Sequence, residues 1–151
     1  MVQASASASK KTRGLKTLLV EDQVHFRDYF KKILHEEFPK MLIEEAANRI
    51  ETLKKVTSFA PDLIFMDIRL PDEEGLELAR IIKSQHPHIK IVMLTFFNLP
   101  EYRIAALQHG VEAFFIKGLT PWKEIVALVK SISSRAGGIT APVKRTRRKS
   151  R

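Results

Sequence analysis

Four short apolar runs in this chain end in a side chain that can do chemistry. Glu21 and Asp22 follow "TLLV", Asp67 follows "LIFM", Thr95 closes "IVMLT", and Lys117 closes "AFFIK". If these runs are neighbouring strands, three carboxylates, a hydroxyl and an ammonium converge on one crevice. Three carboxylates cannot all stay ionised at close range without a cation among them. A hard divalent ion, above all Mg²⁺, suits such a place, because it takes oxygen ligands, keeps waters and pairs with phosphate oxygens. A carboxylate such as Asp67 can then attack phosphorus to form an acyl phosphate. Mg²⁺ and Lys117 would neutralise the incoming charge, and Thr95 would donate its hydroxyl to a phosphoryl oxygen. Each residue alone has a bland explanation. Asp67 could be a turn or capping residue, Glu21 and Asp22 solvated acids at a helix start, Thr95 a β-former and Lys117 an ordinary surface Lys. The coincidence of all of them at successive strand ends argues for chemistry.

The elements that would hold these groups are legible in the pattern. Strands are predicted at 17–20, 41–46, 63–66, 91–95 and 113–117, with helices at 24–37, 47–59, 75–86, 100–109 and 121–134. Apolar runs alternating with longer amphipathic ones are the pattern of repeated βα units and a parallel sheet. Four of the strands are continuous apolar runs, as strands covered on both faces should be, while Glu44 and Glu45 send the second to an edge. Pro39, Pro61, Pro87 and Gly110 stop four helices, and Thr120-Pro121 is expected to cap and open the fifth. Right-handed crossovers then favour an α/β, flavodoxin-like, doubly wound five-stranded sheet of order 2-1-3-4-5. Ligands of such a sheet bind outside the carboxyl ends of its strands.

Composition excludes several function classes. The chain has 151 residues and no Cys, so thiolate metal sites, disulfides and Cys nucleophiles are absent. Its net charge of +9 belongs to the ends: residues 17–135 carry 16 Lys and Arg against 17 Asp and Glu. Residues 1–15 read as a disordered Ala/Ser leader with a basic cluster, 16–136 as one domain, and 137–151 as a disordered basic tail ending "KRTRRKSR". Such a tail could touch nucleic-acid phosphates without sequence preference. The leader lacks the apolar core of a signal peptide, and no apolar run approaches the ~20 residues that span a bilayer. A cytoplasmic protein without a membrane partner is expected.

At this point the sequence resembles the response regulator receiver domain, the phosphoacceptor module of two-component signalling. The motifs are "LLVEDQ", "FMDIRLPDEEGLEL", "VMLT" and "AFFIKG", within residues 15–135. The resemblance implies that Asp67 is the phosphorylated residue, and that Glu21, Asp22, Asp67 and the backbone carbonyl of Arg69 hold Mg²⁺. It makes Thr95 and Lys117 the phosphoryl contacts, and Thr95 and Phe114 the switch pair. The implied partner is a sensor histidine kinase or phosphotransfer protein, with output, or homodimer formation, through the face of helix four, strand five and helix five. The domain would be a signalling module, not an enzyme, beyond assisting its own phosphotransfer and dephosphorylation.

Three positions depart from the family pattern. Phe96 replaces a small residue after Thr95 and is expected to restrict access to Asp67. Gly118 replaces Pro after Lys117, and Phe114 lacks the hydroxyl of the commoner Tyr. Two other functions compete. An Mg²⁺-dependent phosphatase with an Asp nucleophile would need a second acid two residues after Asp67, where Arg69 stands. A DNA-binding regulator would need a reader domain, which the residues after Arg135 are too few to build, leaving the basic tail as the nucleic-acid contact.

Overall fold

Residues 14–138 are described by the structure, a computed structural model; residues 1–13 of the leader and 139–151 of the basic tail lie outside them, while Leu15, assigned to the leader, is buried in the core. Among the described residues, five strands alternate with five helices. The strands are β1 (Lys16–Val20), β2 (Leu42–Ala46), β3 (Leu63–Met66), β4 (Lys90–Thr95) and β5 (Ala113–Ile116). The helices are α1 (Val24–Glu37), α2 (Arg49–Ser58), α3 (Gly75–Gln85), α4 (Pro100–Gln108) and α5 (Trp122–Gly138). All pairings are parallel and the sheet order is β2-β1-β3-β4-β5, as the alternating pattern predicts.

Successive side chains of a strand point to opposite faces, so each apolar run feeds two cores. Leu18, Val20, Ile64, Met66, Ile91 and Met93 pack with Val56 of α2, Leu76, Ala79 and Ile82 of α3 and Ala106 of α4. Leu19, Phe65, Val92 and Leu94 pack with Phe30 and Leu34 of α1 and Ile125, Val129 and Ile132 of α5. At about 1.5–3 kcal/mol for each fully buried side chain of this size, these two layers are the main stabilisation of the fold. β2 lies at the edge. Its Glu45 meets Arg27 and Lys31 of α1 at 3.5 and 3.3 Å, and Glu44 meets Lys55 of α2.

Two details differ from the sequence reading. The Thr120 hydroxyl accepts the Ile116 N–H at 2.9 Å instead of capping α5, because the turn folds back on β5. α5 also continues through Gly137-Gly138, which were expected to end the domain; helical Gly costs only about 1 kcal/mol relative to Ala.

Gly75 explains the tight passage from β3 into α3. A Cβ on it would stand 2.0 Å from the Asp67 carbonyl oxygen and 3.0 Å from the Ile68 Cα, and its N–H donates to the Ile68 carbonyl at 2.6 Å. The helix therefore starts pressed against the backbone of residues 67–68, and any side chain there must push that backbone away. Gly75→Ala should lower unfolding stability by about 1–3 kcal/mol, the usual cost of forced overpacking. Chemical denaturation checks this, and an unchanged midpoint would contradict the contact.

Candidate functional site

Each polar residue at the strand ends is held as a further rung of the sheet. Glu21 N–H donates to the Ala46 carbonyl at 3.0 Å, Asp67 N–H to Val20 at 3.2 Å, and Lys117 N–H to Thr95 at 2.8 Å. Their backbones are thus fixed by the same ladder that builds the core. Beyond Lys117 the chain reverses through Gly118, whose φ of +79° lies in the left-handed region that a residue without Cβ adopts at little cost.

The Lys117 side chain runs back across the sheet end. Its Nζ stands 2.6 Å from Glu21 Oε1 and 2.8 Å from Asp67 Oδ2, joining residues 96 and 50 positions apart in sequence. All three are buried, with 1% of the Lys117 side chain exposed. The ammonium also lies 4.3 Å from the ring centroid of Phe26 and 5.1 Å from that of Phe96. Phe26 belongs to an aromatic cluster under the site, stacked on Phe30, which in turn meets Phe65 and Trp122. The cation that the sequence demanded among the carboxylates is thus supplied in part by the chain itself.

Burial pushes the Glu21 carboxyl above its ordinary value, against the opposing pull of Lys117; the Asp67 charge adds to the rise. Each paired carboxylate uses one oxygen on Lys117. The other meets a backbone N–H at long range: Gln23 to Glu21 Oε2 at 3.2 Å and Arg69 to Asp67 Oδ1 at 3.3 Å. Those oxygens retain lone pairs for a further hard cation, and the donor set, oxygen throughout, fits Mg²⁺. Asp22 is exposed beside them. Among the described residues no three His, Cys, Asp or Glu side chains already form a metal-holding group.

The remaining residues are placed as follows. Thr95 is fully buried, and its hydroxyl accepts the Phe97 N–H at 3.3 Å. Phe114 is buried in the core, with the Arg103 guanidinium 5.0 Å from its ring and Arg103 Nη1 donating to its carbonyl at 3.3 Å. Phe115 packs against the opposite core. Arg69 stacks on Phe97 at 4.4 Å. The sequence did not reveal Phe26, Phe97 or Arg27, whose Nη1 holds the Glu21 carbonyl at 2.8 Å. Spacing of Phe26 and Phe30 at i and i+4 signals a shared helix face, though not what lies above it.

The model of the response regulator receiver domain matches residues 17–130. The chain belongs to this family. As a receiver it is similar to the transcriptional regulatory protein LnrK of Bacillus subtilis, 30% identical over 85% of the chain and 57% of that protein. It is also similar to the oxygen regulatory protein NreC of Staphylococcus aureus, 27% identical over 78% of the chain and 54% of that protein. The receiver thus spans little more than half the length of these curated relatives. The crystal structure of a two-component response regulator from Clostridium difficile superposes with a TM-score of 0.73 and 30% identity, covering 80% of this chain and 97% of that one. No helix among the described residues is long and apolar enough to cross a membrane.

The raised Glu21 pKa has a sign that can be measured. When the folded value lies above the unfolded one, the unfolded state loses its proton first, so stability falls as pH rises above 4.5 toward the folded pKa. Glu21→Gln should flatten that part of the melting temperature profile relative to the parent protein. Identical slopes in the two proteins would contradict the burial argument.

Proposed function

We propose that this receiver accepts a phosphoryl group on Asp67 from a phosphohistidine, carried by a sensor histidine kinase or a phosphotransfer protein. The single observation that carries the reading is the contact of one buried ammonium, Lys117, with both Glu21 and Asp67. An Asp67 oxygen attacks phosphorus, the bond from phosphorus to the imidazole nitrogen breaks, and the electron pair stays with the imidazole. Lys117 holds the developing charge, and the Thr95 hydroxyl turns from its backbone contact to a phosphoryl oxygen. Ionised Glu21, Asp22 and Asp67 against one Lys117 leave two negative charges, the complement of a divalent ion. Mg²⁺, when bound by these carboxylates and the Arg69 carbonyl, supplies the rest of the charge neutralisation.

The response travels through the face of α4, β5 and α5. Thr95 and Phe114 are the switch pair: movement of Thr95 toward the phosphoryl group is transmitted to α4 through its N-terminal loop and to β5 at Phe114, whose carbonyl accepts from Arg103 of α4. Ile104 and Leu107 of α4 are more than half exposed and suit a protein contact, including one with a second copy of the chain. A second reading is favoured by the likeness to a transcriptional regulatory protein nearly twice the matched length: the receiver serves DNA-binding output, with nucleic-acid contact by the basic tail. In both readings the receiver is a cytoplasmic signalling module.

Acetyl phosphate with Mg²⁺ should add one phosphoryl group, seen as a mass gain that alkali removes and that is absent from Asp67→Ala. Mg²⁺ at a hundredfold its Kd should also stabilise the fold by about 2.7 kcal/mol, and Asp22→Asn should require more Mg²⁺ for the same effect. Mass gain that persists in Asp67→Ala would move the chemistry elsewhere.

A further inference from the structure

Arg49, the first residue of α2, is tied twice to the loop that follows β3. Its N–H donates to Asp72 Oδ1 at 3.0 Å, and its guanidinium stands 3.7 Å from the Glu73 carboxylate. The first N–H groups of a helix have no partner inside it, so Asp72 satisfies from another loop a donor that α2 leaves open. Asn48 caps the same turn by accepting from the Glu51 N–H at 2.9 Å, and Glu51 in turn accepts from the Ala47 N–H at 2.7 Å. The start of α2 is therefore firm ground for the loop to rest on.

The tie closes a circuit of bonds around one side of the carboxylate crevice. Glu21 N–H donates to the carbonyl of Ala46, three residues before Arg49. On the other side Arg69 and Glu74 form an antiparallel bridge at the base of the loop, and Gly75 N–H donates to the Ile68 carbonyl. The Arg69 carbonyl, the proposed backbone ligand of Mg²⁺, thus belongs to a loop with a fixed base and a tip pinned to α2. Asp72 is exposed, and the Arg49 and Glu73 side chains are 36% and 16% exposed. Pairs this close to solvent add little to stability. Their effect falls on where the loop backbone stands.

We propose that Arg49, Asp72 and Glu73 form a clamp that positions the Arg69 carbonyl and thereby makes the cation site selective for Mg²⁺ over Ca²⁺. The proposal rests on the reading of Glu21, Asp22, Asp67 and the Arg69 carbonyl as that site. Mg²⁺ demands a narrow octahedral arrangement of oxygens, whereas Ca²⁺ takes more oxygens in looser geometry. A carbonyl held still favours the more demanding ion, and a loop released from α2 loses that preference. Charge alone produces no such selectivity. The two ions carry the same charge, and the Arg49 cation repels both.

Calorimetric titration of the full chain, stripped of metal with EDTA, gives the Kd for MgCl₂ and for CaCl₂ at matched ionic strength. Asp72→Ala removes the acceptor and should raise the Mg²⁺ Kd about tenfold while the Ca²⁺ Kd moves less than about threefold, the lower end of what partners behind a metal ligand contribute. Asp72→Asn keeps an acceptor oxygen, so its ratio of Ca²⁺ to Mg²⁺ Kd should match the parent's. Arg49→Gln keeps the N–H but loses the ion pair, and it should lower that ratio about threefold. It should weaken Mg²⁺ binding even though loss of a nearby positive charge would by itself tighten it. A ratio within about twofold of the parent's in both Asp72→Ala and Arg49→Gln, or equal ratios in Asp72→Asn and Asp72→Ala, overturns the clamp and leaves the cation site intact. Absence of Mg²⁺ binding by the parent, or an Asp67→Asn titration identical to the parent's, overturns the site and the clamp with it.

Discussion

One buried ammonium holds the working end of this receiver together. Lys117 comes from the last strand, Glu21 from the first and Asp67 from the third, and their side chains meet only because the parallel ladder brings those strand ends side by side. Two carboxylates this close in a buried setting repel, and each has lost much of its hydration. The single positive charge between them makes the arrangement tolerable. It leaves an excess of negative charge; burial above all, and the Asp67 charge to a lesser degree, holds the Glu21 pKa above its ordinary value despite the ammonium.

The rest of the site follows from holding this charge in place. The aromatic cluster under α1 offers a cation a ring face where water would otherwise stand, through Phe26, and it fixes α1 against α5 through Phe30 and Trp122. Gly75 lets α3 press on the backbone of Asp67, so the loop after β3 has little freedom to retreat from the ammonium. Gly118 permits the turn by which Lys117 points back over the sheet. On this framework residues 96–98 are the part best suited to respond, because cation contacts and one long hydrogen bond tie them down where core packing does not.

Much of this was legible before any coordinates. Continuous apolar runs ending in Glu21, Asp67, Thr95 and Lys117 announced a doubly wound sheet and the residues at its mouth, because strand period and burial are written in local sequence. Glu44 and Glu45 correctly sent β2 to the edge. Pairings between loops far apart in sequence were not legible. Nothing near Phe97 indicates that Arg69 will lie on its ring, and nothing near Lys117 indicates that it will bond both carboxylates directly. The contact of Phe114 with Arg103 was not legible either, because it depends on how α4 packs on β5. Thr120 followed the local grammar of a helix cap but was taken by a backbone N–H that only the folded turn brings near.

The central claim is that Lys117 neutralises Asp67 and Glu21 together, and a double-mutant cycle on unfolding stability tests it most directly. With Lys117 present, Asp67→Asn removes a paired charge and should be neutral or destabilising. In a Lys117→Met background the same change removes one of two uncompensated buried carboxylates and should be stabilising. The coupling between the two sites should then reach about 1–3 kcal/mol, with a reversal of sign. Additivity within about 0.5 kcal/mol would show that the ammonium does not hold the two carboxylates, and would contradict the description of the site given above.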